Sequence, residues 1–168
     1  SEQISFIMNL WATSSLDEGK LRCNATELIR KIPKQGLSSI GMLLPIRIMA
    51  EVYSRHKSSI DECNTLFNVF KTYIEKTICE NFERKLRGDV FEILQIHALK
   101  KFIKTHDELE EVFECDISEK KLNPDLVIPG IARVNGDKAF SFDHDIFADF
   151  IVADFVGTRL KKRMSGGK

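Results

Sequence analysis

Between residues 131 and 155 the hydrophobic pattern changes its period. The stretch IARVNGDKAFSF (131–142) alternates apolar and polar residues, whereas Ile146, Phe147, Phe150, Ile151 and Phe155 recur at helical spacing. Alternation belongs to a strand with one buried face, and recurrence every three or four residues belongs to a helix with one buried stripe. Asn135-Gly136 is suited to the positive φ angles of a type I′ turn, so the pattern predicts a β-hairpin. A helix over about 144–162 follows it, and His144 stands at the junction between Asp143 and Asp145.

The chain ahead of the hairpin reads as helical. Ile4, Ile7, Met8 and Trp11 form one stripe, and TSSLDEG (13–19) reads as a loop. Leu21, Ala25, Leu28, Ile29 and Ile32 form a second stripe, ended near Pro33 and Gly36. A third helix starts around Pro45, a residue suited to a first helical turn, and buries Ile48, Met49 and Val52 before the polar stretch RHKSSIDECN. Phe67, Phe70, Ile74, Ile78 and Phe82 then predict a longer helix from Leu66 to about Leu86, punctuated by Gly88. Another follows over 89–103 with Phe91, Leu94, Ala98 and Phe102 on its buried side. A short helix is expected over 107–114, and 117–130, broken by Pro124 and Pro129, is expected to hold one or two helical turns.

The fold class is therefore mainly α. A small helical bundle (1–62) precedes a unit with the element order of a winged-helix domain (63–160), whose one β-hairpin is the wing; 161–168 read as a flexible tail or the start of a further domain. No internal repeat is apparent.

With 168 residues, 43% of them hydrophobic, such a chain can bury a core. Lys plus Arg and Asp plus Glu are 25 each, a balance that argues against a general nucleic-acid binder. No apolar run approaches the roughly 20 residues of a membrane span, and SEQISFIMNLW lacks the basic-then-apolar order of a signal peptide. Cys23, Cys63, Cys79 and Cys115 form no CxxC or CxH pair, which points to reduced thiols in a cytosolic setting rather than structural zinc. The glycosylation pattern at Asn24-Ala25-Thr26 falls within a predicted helix. Arg159, Lys161, Lys162 and Arg163 lie where positive charge complements a helix C-terminus.

Three segments, in matching order, carry a resemblance. Phe142-Asp143-His144-Asp145-Ile146-Phe147-Ala148-Asp149-Phe150 has the form F-x-H-x-x-F-x-[E/D]-[F/Y], continued by Ile151-Val152-Ala153. GMLLPIRIMAEVY (41–53) and LFNVFKTYIEK (66–76) are the other two. Together they resemble the first helical domain and winged-helix domain of NACHT-family NTPases, nucleotide-operated switches of the STAND class, of the kind followed by ankyrin or leucine-rich repeats. Gly41 and Pro45 are further apart than in the family, so Pro45 alone carries over from that pair. Asp145 stands where the family has a basic, polar or small residue.

The resemblance implies that His144 contacts the β-phosphate of bound ADP and that Pro45 packs against the adenine. It also implies an upstream nucleotide-binding domain and a downstream repeat domain as intramolecular partners. ADP/ATP, with Mg, would be held by the complete protein, which forms homo-oligomers in the cytoplasm after exchange to ATP. This chain contains no G-x-x-x-x-G-K-[S/T] phosphate loop and no apolar strand ending in paired acidic residues. It is therefore expected to be no enzyme by itself, but a regulatory piece of an ATPase. No metal ligands are assigned.

Read without the resemblance, His144 and Asp143 have local roles: a surface or capping histidine, and an N-cap carboxylate accepting first-turn amides. His97 reads as structural, and His56 and His106 as loop residues. Two other functions stay open. One is a nucleic-acid-binding winged helix, whose recognition helix would be ISEKKLNPDLVI (117–128), with Lys120 and Lys121 offset by Glu119 and Asp125. The other is a helical scaffold without a ligand. Neither a G-x-S-x-G elbow nor H-E-x-x-H is present, which argues against an independent hydrolase.

Overall fold

The computed structural model describes residues 1–33, 43–102, 123–137 and 139–166. Several expectations fall outside them: Gly36 and Gly41, the helix over 107–114, residues 117–122 with Lys120 and Lys121, and also His106, Cys115 and Lys138. The protein is mainly α, with seven helices among the described residues and a small antiparallel sheet near the C-terminal helix. The chain divides into two compact units, Ser1–Lys76 and Thr77–Lys168.

The first unit contains α1 (Glu2–Leu10), α2 (Glu18–Lys31), α3 (Leu43–Arg55), a 3₁₀ helix (Lys57–Glu62) and most of α4 (Leu66–Asn81). Asp17 starts α2, its Oδ1 accepting from the Lys20 amide at 2.9 Å, and Pro33 follows the last turn. Thr65 does the same for α4, accepting from the Asn68 amide at 3.1 Å. α1, α2 and α3 pack on one another around Ile7, Ala25, Leu28, Met49 and Ala50. Trp11 stacks on Tyr53 with centroids 5.5 Å apart, and its indole N–H donates to the Ala50 carbonyl at 3.2 Å. The Tyr53 hydroxyl donates to Glu27 at 2.8 Å, which lies 3.7 Å from Lys57. Within α3, Glu51 accepts from Arg47 at 3.3 Å and from the Tyr73 hydroxyl of α4 at 3.1 Å. Burial, reinforced by the Glu51 charge, pushes the Tyr73 phenol well above its ordinary value. The residues of Ala50-Glu51-Val52-Tyr53 thus each have a packing or hydrogen-bonding task within this unit. The polar stretch after α3 contains the 3₁₀ helix, which buries Ser59 and Ile60.

The second unit contains the end of α4, α5 (Arg84–Phe102), β1 (Val127–Ile128), β2 (Ala132–Val134), β3 (Phe140–Phe142) and α6 (Asp145–Gly166). The strands lie in the order β1-β2-β3, all antiparallel. α5 and α6 pack along each other, burying Val90, Leu94, Ala98, Phe147, Ala148 and Ile151.

The structure corrects five expectations. Helix α4 ends at Asn81 and α5 begins at Arg84, so Gly88 lies inside a helix rather than after one. Arg87 explains the early stop: its guanidinium donates to the carbonyls of Phe82 at 3.0 Å and Cys79 at 2.9 Å, satisfying acceptors a helix end leaves open. Phe67 and Phe102, placed on buried stripes, are 41% and 55% exposed, while Val90 and Leu99 are buried. The segment expected to hold helical turns before residue 130 instead supplies β1. Pro129 and Gly130 are its turn: Gly130 has φ 73°, and the Ile131 amide donates to the Ile128 carbonyl at 3.0 Å.

The fourth concerns the β2–β3 connection. Val134 pairs with Phe140 and Ala132 with Phe142, so the loop is longer than the two-residue Asn135-Gly136 turn expected. Gly136 does not adopt a left-handed φ. Asp137 Oδ1 accepts from the Ala139 amide at 3.1 Å, and the Asn135 amide donates to the Ala139 carbonyl at 2.8 Å. Register decides the matter, because a tighter turn would set Val134 against a polar residue. Finally, α6 runs on through Gly166, past the Lys162 limit read from the sequence.

Gly88 offers a direct test of the α5 boundary. No heavy atom lies within 4 Å of where a Cβ would sit. Gly88→Ala is expected to stabilise the protein by about 0.5–1 kcal/mol, the usual helix-interior difference between the two residues. Urea unfolding would show this as a higher midpoint; a lower one would mean that residue 88 is not helical.

Candidate functional site

The strand–helix junction is built from β3, the start of α6 and two basic residues from neighbouring elements. β3 delivers the chain to Asp143, whose amide donates to the Ile131 carbonyl at 2.8 Å and ties the junction to the sheet. His144 follows, its carbonyl accepting from the Phe147 amide at 3.1 Å as α6 begins at Asp145. Its side chain is exposed. The imidazole lies 6.2 Å from the buried Phe147 ring, centroid to centroid.

Both flanking carboxylates are engaged. Arg133 of β2 grips Asp143 with a two-pronged contact, Nε to Oδ1 and NH2 to Oδ2, each at 3.0 Å. Asp143 therefore serves as the partner of Arg133, in place of the N-cap role expected for it. The pair raises the Arg133 guanidinium above its ordinary value. Lys101, near the end of α5, donates to Asp145 and holds that carboxyl below its usual range. Its ammonium also lies 5.9 Å from the Phe142 ring. Behind the junction, His97 stacks on Phe140 at 4.2 Å, and Phe140 meets Phe142 edge-on at 5.3 Å. His97 is thus a packing residue, as expected.

A helix N-terminus presents unpaired amides and partial positive charge, which suits an anion. An exposed imidazole beside it can add one more donor. With Asp143 and Asp145 each paired with a cation, the junction repels an anion less than the bare sequence D-H-D would. Arg133 and Lys101 were not singled out from the sequence. For Arg133 a signal existed, since it alternates with buried Ala132 and Val134 and must point outward. For Lys101 there was none, because its partner is 44 residues away.

Pro45 belongs to the other unit. It is the third residue of α3, is buried, and leads into the buried Ile46, Ile48 and Met49. This is the first-turn position its fixed φ and missing N–H favour.

Among the described residues, no group of three His, Cys, Asp or Glu side chains could hold a metal ion. Cys63 is buried, which pushes its thiol up, while Cys23 and Cys79 are exposed; all three are free thiols. Among the described residues no helix is long and apolar enough to cross a membrane. No family model, no curated protein and no solved structure matches the chain.

Proposed function

We propose that this chain is a regulatory segment of a cytoplasmic, nucleotide-operated signalling switch. In this reading it is the first helical domain and winged-helix domain of a NACHT-family STAND NTPase. It helps to hold ADP against a separate nucleotide-binding domain and restrains oligomerisation until ATP replaces ADP. The motif segments around residues 41–53, 66–76 and 142–150 support it. One observation carries it: His144 is exposed at the start of α6, and the acidic residues on either side are already paired with Arg133 and Lys101. Pro45 is buried and has a clear task in starting α3, so the proposal rests on His144 rather than on the adenine contact.

The mechanism is a population shift. A ligand moves an equilibrium only through contacts that differ between its two states. His144 makes such a contact when ADP phosphate lies at the head of α6, and lacks it when the domains separate. The phosphate loop and its magnesium belong to the nucleotide-binding domain, which binds the nucleotide and supplies hydrolysis.

The chain alone should accordingly bind ADP and ATP weakly and turn over neither, since it lacks the loop whose amides and lysine hold phosphates. Titration calorimetry with each nucleotide checks this. Micromolar affinity of the isolated chain would replace the switch-segment reading with a self-sufficient nucleotide site.

A further inference from the structure

The outer face of the C-terminal half of α6 carries an apolar row that neither the core nor the strand–helix junction uses. Val156, Leu160 and Met164 are 37%, 54% and 85% exposed and recur every fourth residue, so they form one line along the helix. At 3.6 residues per turn, this line lies on the opposite side of α6 from Phe147, Ala148 and Ile151, which face the core. α6 is therefore apolar on two sides, and among the described residues packing on α5 accounts for only one of them.

The residues around the row define what would cover it. Residues 156–166, VGTRLKKRMSG, contain Arg159, Lys161, Lys162 and Arg163 and no acidic residue. Helical geometry sets Arg159 and Arg163 along one flank of the row and Lys161 along the other. Arg159 lies over the Phe155 ring at 4.7 Å, which steadies it on its flank. Gly157 adjoins the row, with no heavy atom within 4 Å of a Cβ position, leaving room for a neighbouring side chain to enter.

We infer that this face docks an acidic amphipathic helix of a protein partner. An apolar stripe on the incoming helix covers Val156, Leu160 and Met164, and carboxylates on its two flanks meet Arg159 and Arg163 on one side and Lys161 on the other. A row at four-residue spacing beside a small residue is the ridge and groove that helices use to pack. A second copy of this chain fits poorly, because it brings the same basic flanks against each other. An anionic bilayer also fits less well. The row has no aromatic anchor, and exposed Asp149 lies on the same side of the helix.

The test uses the whole chain and two synthetic helical peptides, both with leucine at heptad a and d, one with glutamate and the other with lysine at e and g. Nuclear magnetic resonance titration should show the glutamate peptide binding, with shifts centred on 153–166, and the lysine peptide not binding. Leu160→Asp should weaken binding at least about tenfold, or about 1.4 kcal/mol. The double variant Lys161→Glu, Arg163→Glu, one change on each flank, should exchange its preference for the lysine peptide. These positions are exposed, so the variants are expected to fold, and circular dichroism verifies it. Equal binding of both peptides, binding of neither, or full binding by Leu160→Asp overturns the inference. So does a chain that ignores both peptides but binds phosphatidylserine vesicles, an outcome that would assign the face to a membrane.

Discussion

Phe147→Ala should remove about 3–5 kcal/mol of folding stability, the usual cost of truncating a buried phenylalanine to alanine. Phe147 is 0% exposed and lies in the first turn of α6, where that helix packs on α5 and β3. Truncation removes the ring's transfer free energy and leaves a cavity where α6 packs on α5 and β3. For a protein whose whole stability is of order 5–15 kcal/mol, the loss is severe. Phe102→Ala is the matched control, because that ring is 55% exposed. It should change stability by about 0.5 kcal/mol or less. Urea unfolding of both variants, followed by circular dichroism, gives the comparison. Equal losses from the two substitutions would contradict the placement of Phe147 on the buried side of α6 and Phe102 on the open side of α5.

His144→Ala should speed ADP release from the complete switch and shift it towards the oligomerising state. A hydrogen bond to a charged partner contributes about 1.5–3 kcal/mol. Its removal therefore weakens ADP retention about 10- to 150-fold, at 1.4 kcal/mol per factor of ten. From the bare sequence, Asp143 and Asp145 would draw this towards the lower figure by repelling phosphate. Their pairing with Arg133 and Lys101 lessens that repulsion. The measurement is ADP off-rate and oligomer size for the wild type, His144→Ala and Phe150→Leu, the last as a packing control. Unchanged retention and a monomeric His144→Ala protein would leave the ring with a local role only.

Much of the fold was legible because its signals are local. The stripe of Leu21, Ala25 and Leu28 and the stop at Pro33 mark α2 within one short window, although its first turn, from Glu18, lies within the stretch 13–19 read as a loop. The change of period at 131–155 likewise located a strand followed at once by a helix, and with it the position of His144. Even β1 had a local signal, since Pro129-Gly130 suits a turn with positive φ at its third residue. The same prolines also suggest a broken helix, and periodicity over so short a run does not separate the two.

The sequence by itself determined the mainly α class, the apolar stripes of most of the described helices, and that a histidine stands at a strand–helix junction. It could do so because caps, turns and amphipathic stripes act over a few neighbouring residues. Tertiary structure alone decided which aromatic rings are covered, as with buried Phe147 and exposed Phe102. It also placed Arg87 on the carbonyls that end α4, and chose the register that sets Val134 opposite Phe140. Above all it decided the charge at the junction. Lys101 meets Asp145 only because α5 and α6 pack along each other, and Arg133 reaches Asp143 only because β2 and β3 pair. Those pairings join residues distant along the chain, and no local pattern records them.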